Sequence, residues 1–192
     1  MLTIANGNIP YCVGAMTEGK YPGELASPEQ IYELAEEYRR AATELLKLGR
    51  SGKPLTRAPF RLCAIHAIQL YLTALLLRRG HNPNQLRKMQ HDLSARTEHT
   101  LAAGLLLRAK TAKHLQSLSQ NREYLVTRYG PEMAATASHI TRLTATLEEV
   151  AVKVTVLIGL PPKAPAGPVA GGAAQGRDSA ASLSAATANS TT

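Results

Sequence analysis

The sequence contains no tryptophan, one phenylalanine and seven tyrosines among 192 residues. Strands draw on β-branched and aromatic side chains, so a core built here must come from Leu, Ala, Ile and Val, a composition that favours helices. The only cysteines, Cys12 and Cys63, form no close pair, which excludes a disulfide framework or a thiolate metal site and fits a reducing, cytoplasmic setting. No two of the six histidines (His66, His81, His91, His99, His114, His139) stand four apart, and none belongs to a His-Glu-x-x-His pattern. No helix face therefore offers two imidazoles to one ion, and neither a metal nor another cofactor is expected. No serine or cysteine occupies a recognisable nucleophile elbow. The N-terminal run MLTIANGNIPYCVGAM lacks the basic and apolar regions of a signal peptide. The longest apolar stretch, Leu62 to Leu77, contains His66, Gln69 and Thr73. It is shorter than the ~20 residues that span a bilayer, and is predicted to be a buried core helix.

Apolar residues make up 44% of the chain, which excludes disorder throughout, and the length suits one domain with tails. Residues 1–26 read as an irregular arm, 27–159 as the folded domain, and the Ala/Pro/Gly/Ser-rich residues 160–192 as a disordered tail. Within the arm, Gly14, Gly19 and Lys20 reproduce the spacing of a phosphate-binding loop. Tyr21, Pro22 and Gly23 follow, however, where that loop needs a Ser or Thr and a helix.

An all-α, up-and-down bundle of about five helices is predicted. Ser27, Pro28 and Gln30 form a capping box with a proline at N1 and open a first helix through about Leu48. A second runs from near Pro59 to Arg79, with Gly80 closing it. A polar connection over HNPN leads to a third from about His91 to Ala103. A fourth covers Thr111 to Tyr129, and a fifth Glu132 to Ile158. On the second helix His66, Gln69 and Thr73 form a polar stripe that suits either a seam or ligand cleft, or a satisfied core network.

Acidic residues are scarce in one region. Between Arg50 and Lys113 twelve basic residues face only Asp92 and Glu98. Such a segment can neutralise phosphates, and with few aromatics to stack on bases the contacts would go mainly to a backbone. Arginine with histidine is also the minimum equipment for metal-free RNA cleavage, the guanidinium holding phosphate while the imidazole moves protons. Three pairs are close in sequence: Arg87 with His91, Arg61 with His66, and Arg108 with His114.

The order of RLCAIHAIQLYLTALLLRRG, His91-Asp92-Leu93 and Arg128-Tyr129 resembles the HEPN domain, a small helical bundle of prokaryotic toxin, nucleotidyltransferase-associated and defence proteins. The similarity covers roughly residues 28–158. Gln69 and Thr73 stand where that family's long helix carries an acidic residue and a lysine. Ribonuclease members carry Arg-x4-6-His near the start of a late helix; here the first histidine after Arg128 is His139, whereas Arg108 and His114 match the spacing. The resemblance implies a homodimer whose cleft holds RNA or a nucleotide, with an antitoxin or a nucleotidyltransferase as a further partner. The leading expectation is a self-associating RNA- or nucleotide-binding module using Arg57, Arg61, Arg78, Arg79, Arg87, Lys88, His91, Arg96 and Arg128. The alternatives are a metal-independent ribonuclease toxin with Arg108 and His114 as catalytic pair, and a purely structural helical adaptor.

Overall fold

The capping box at Ser27 forms as its sequence dictates: Ser27 Oγ accepts from the Gln30 amide at 3.2 Å and Gln30 Oε1 accepts from the Ser27 amide at 2.9 Å. Helix α1 runs from Pro28 to Lys47. It belongs to a computed structural model that describes residues 21–159; the glycine-lysine spacing at 14–20, most of the arm and the tail from 160 lie outside the described residues. All the described residues fall within one compact unit and hold no strand. A short 3₁₀ turn, Pro54–Arg57, leads into α2, Ala58–Arg78. Then follow α3 Pro83–Lys88, α4 Leu93–Ala102, α5 Ala109–Gln120, α6 Glu123–Tyr129 and α7 Ile140–Ile158.

Helix α2 is apolar around most of its circumference and is accordingly buried on most of its surface, with Phe60, Ile68, Tyr71, Leu72, Leu75 and Leu76 almost wholly inaccessible. By length and composition Pro54–Arg78 could cross a membrane, but 61% of its most apolar window is buried inside the fold. Contacts between α1 and α2 pair Glu29 with Arg78, Glu36 with Tyr71, and Leu46 with Arg57, so the two run antiparallel. Tyr32 with Thr155 and Arg39 with Glu148 set α1 antiparallel to α7 as well. His114 with Thr146 and Thr111 with Glu149 do the same for α5 and α7.

The described residues hold seven α-helices rather than five, for two reasons. Asn82 accepts from the Asn84 amide and, with Pro83 at N1, turns the polar connection into the single-turn helix α3. The predicted helix 111–129 breaks at Arg122, whose φ of 48° is left-handed. On α5 the buried positions are Thr111, His114, Leu115 and Leu118, and an unbroken helix would next bury position 122. The break moves the register by one, leaving Arg122 exposed and burying Glu123. The predicted last helix begins late: Pro131–Met133 is a 3₁₀ turn, and α7 starts only at Ile140.

Candidate anion-binding site

Two adjoining clefts lie between the α1–α2 connection and the α6–α7 connection. The larger, about 660 Å³, is walled by Arg50, Lys53, Arg57 and Arg61 on one side and by Ala134 to Ile140 on the other. The smaller, about 250 Å³, shares Pro54, Arg61, Ala134 and Ala137 with it and adds Leu55, Val126, Arg128 and Tyr129. Among the described residues, neither lining includes an acidic one.

The basic side chains descend from surface to core. Arg50 and Lys53 are exposed, Arg57 is half-buried and Arg61 is 8% exposed. The loop holding the first two is shaped by Thr56, whose Oγ1 accepts from the Arg50 amide at 2.9 Å and donates to the Lys53 carbonyl at 2.7 Å. Arg57 donates from Nη1 to the Leu46 carbonyl at 3.0 Å, and the end of its side chain lies against Gly49. A Cβ at position 49 would meet Arg57 Cδ and Nε at 2.2 Å, so only glycine leaves Arg57 where it is. Arg61 reaches Glu123 from Nη1 at 3.4 Å and the Ser138 carbonyl from Nη2, while its buried Nε has no partner among the described residues. Glu123 also accepts from the Ser138 amide and hydroxyl, at 2.8 and 3.0 Å. Glu123 therefore offsets the charge of Arg61, whereas Arg50, Lys53 and Arg57 face no carboxylate in the lining.

The inner wall ends at the N-terminus of α7. Its N-cap, His139, makes no side-chain capping bond, and the first main-chain bond of the helix joins the Leu143 amide to the His139 carbonyl. The amides of Ile140, Thr141 and Arg142 precede that bond and have no partner within the helix, which places the positive end of the helix dipole beside three cations.

Apart from Arg128 in the adjoining cleft, the other basic residues predicted to bind do not join this cluster. Arg78 pairs with Glu29 at 3.0 Å, and Arg79 caps α2. Arg96, 4% exposed, is a structural cation: it donates to Thr73 Oγ1 and to the carbonyls of Leu86 and Gln90, tying α4 to α2 and to the turn after α3. Arg87 and His91 do come together on a separate groove of about 510 Å³ between α2 and α3, where Arg87 lies 4.0 Å over the Tyr21 ring. Lys88 is exposed beside them. The polar stripe on α2 proves to be largely a satisfied network. Gln69 Oε1 meets His91 Nδ1 at 3.1 Å and Nε2 donates to the Gln90 carbonyl, while His66 packs edge-on against Tyr38. Burial, followed by the nearby Arg128 cation, lowers the affinity of both His66 and His91 for a proton. Arg61 and His66 diverge around α2, as their spacing requires.

Arg108 and His114 both engage α7 but serve different neighbours. Arg108 donates through its amide and Nε to Glu149 at 2.8 and 2.6 Å, and its side chain is largely exposed. His114 is 4% exposed, with Nδ1 2.7 Å from Thr146 Oγ1 and a buried Nε2 that has no partner among the described residues. An imidazole enclosed in this way has no face on which to exchange a proton with a substrate. Among the described residues no cluster of three or more metal-ligating side chains occurs.

Sequence reasoning counted Arg50 and Lys53 among the basic run without assigning them a site, and named Tyr129 and His139 in the comparison with the HEPN motifs, not as ligands. The signal for the first two was their place in a Gly- and Pro-containing loop directly before the core helix. Nothing local marked the other two as ligands: Tyr129 ends α6 and His139 is the N-cap of α7, and the fold brings both to the clefts. No family model, curated protein or solved structure matches the chain.

Proposed function

We propose that the chain is a HEPN-like, cytoplasmic helical domain that binds the phosphates of RNA or a nucleotide in the cleft between the α1–α2 and α6–α7 connections. The observation that carries this reading is the meeting of Arg50, Lys53 and Arg57, unopposed by any lining carboxylate among the described residues, with the uncapped N-terminus of α7. Each is a phosphate-binding device on its own account: guanidinium forks match phosphate oxygens, and free helix amides point at an anion. The wall from Ala134 to Ser138 consists of small side chains, so a phosphate can approach the backbone closely.

The test is the affinity of the full chain for short single-stranded RNA as a function of salt. Three phosphate-neutralising cations give a slope of log affinity against log salt of about −2. Arg50→Ala and Lys53→Ala should each flatten it by about 0.7, while Arg79→Ala should leave it unchanged. Absence of binding at low salt, or equal slopes for all variants, overturns the reading.

Self-association belongs to the same proposal, and the exposed Val152 and Val156, neighbours on one face of α7, support it. Sedimentation should show a two-chain mass that Val156→Glu reduces to one; a one-chain mass for the wild type removes this part.

A further inference from the structure

An extended strand is held by a track of cations, each taking one phosphodiester, and this molecule interrupts such a track. Arg78 is paired with Glu29, Arg108 with Glu149, and Arg96 is buried under three hydrogen bonds. Arg87 and Lys88 lie exposed at the separate groove, whereas Arg50, Lys53 and Arg57 share one cleft that the N-terminus of α7 also lines. A phosphodiester brings one negative charge, whereas a terminal phosphomonoester brings between about 1.5 and 2 at neutral pH, with three acceptor oxygens. Three cations and a helix N-terminus at a single point suit the second.

The adjoining pocket extends the argument. It opens from the basic cleft across Pro54, Arg61 and Ala134, and offers Leu55, Val126 and the 74%-exposed ring of Tyr129. A large aromatic on the surface beside aliphatic side chains is a stacking platform for one planar base, and among the described residues Tyr129 is the one Tyr, Phe or Trp in either lining. Arg128 on the same wall can meet the sugar-phosphate link.

We infer that this double cleft recognises a nucleotide bearing a terminal phosphomonoester, with the phosphate among Arg50, Lys53, Arg57 and the α7 amides and the adjoining base on Tyr129. The inference rests on the proposed phosphate-binding role and narrows it from any phosphate to a chain end or a free mononucleotide. Arg61 is the floor shared by the two compartments. Its Nε is buried without a partner among the described residues, in a side chain 9% exposed.

Fluorescence anisotropy with the full chain separates these cases, using one short RNA sequence prepared with a 5′-phosphate, with a 3′-phosphate and with hydroxyls at both ends. At least one phosphorylated form should bind about tenfold more tightly than the hydroxyl form, as expected for one added charge-assisted contact set. A nucleoside 5′-monophosphate or 3′-monophosphate that competes as well as the phosphorylated strand identifies a free nucleotide as the ligand; competition by the strand alone identifies a chain end. Gly49→Ala, which displaces Arg57 without removing a charge, should abolish the tenfold preference, and circular dichroism should show the helices intact. Tyr129→Ala should weaken phosphorylated RNA while leaving competition by inorganic phosphate as it was. Equal binding of phosphorylated and hydroxyl RNA overturns this inference but leaves the phosphate-binding role standing. No binding of any RNA or mononucleotide at low salt removes both.

Discussion

Replacing Glu123 with alanine should cost about 3 to 5 kcal/mol of unfolding free energy, the usual penalty for stranding one member of a buried ion pair. Glu123 is 2% exposed and is held by Arg61 and by the amide and hydroxyl of Ser138. Without it, the guanidinium of Arg61 keeps only the Ser138 carbonyl in a site where burial already disfavours its charge. For a domain of ordinary stability, between about 5 and 15 kcal/mol, that is a large fraction. Urea denaturation at neutral pH measures it. The double variant Arg61→Met with Glu123→Leu removes both charges and should recover much of the loss, because apolar side chains of similar size replace buried pairs well. A single-variant loss under about 1 kcal/mol, the range of exposed pairs, would show that the pair is solvated after all.

Acid should weaken the fold in two successive windows. His114 is held down to about 4, chiefly by burial and then by the nearby Arg142 and Arg61 cations, against an ordinary 6.5. Between those values the unfolded chain takes up a proton that the native chain refuses, so stability falls as the pH falls, and the loss levels off below pH 4. The span corresponds to about 3 kcal/mol. His66 and His91, lowered by burial and Arg128, act in the same direction. Glu149 governs the lower window. Desolvation pushes its carboxyl up, yet hydrogen bonds from Lys153, Thr111 and Arg108 overcome this and hold it at about 2. Its stabilisation is complete above 4.5 and fades as the pH falls towards 2. His114→Gln keeps a polar group near Thr146 but cannot titrate. It should flatten the dependence between pH 6.5 and 4 while leaving the steeper loss at lower pH. An unchanged slope in the variant would place the titrating groups elsewhere.

The all-helical architecture was legible because its signals are local. Ser27, Pro28 and Gln30 specify the start of α1 within four residues, and a stretch as apolar as Leu62–Leu77 leaves α2 only the centre of the fold. The split at Arg122 was not legible, since residues on either side of it have ordinary helical propensity. The left-handed residue is favoured by what it achieves at a distance, the delivery of Glu123 to Arg61 across 62 positions of chain. The candidate site divides in the same way. The basic run between Arg50 and Lys113 could be counted, but its division into paired, buried and unopposed members depends on Glu29, Glu123 and Glu149, which lie outside the run. Arg61, a candidate ligand from sequence, is in large part a structural residue, whereas Arg50 and Lys53 keep their charge available.

The contact between Gly49 and Arg57 constrains how this protein can change over generations. A side chain at 49 and an arginine folded against it exclude each other, although either alone is compatible with the helices. The two positions should therefore be inherited together. A lineage that acquires alanine or serine at 49 is expected to have given up the arginine at 57, or to hold it in another direction, and the ability to discriminate phosphorylated ends should disappear along the same branch.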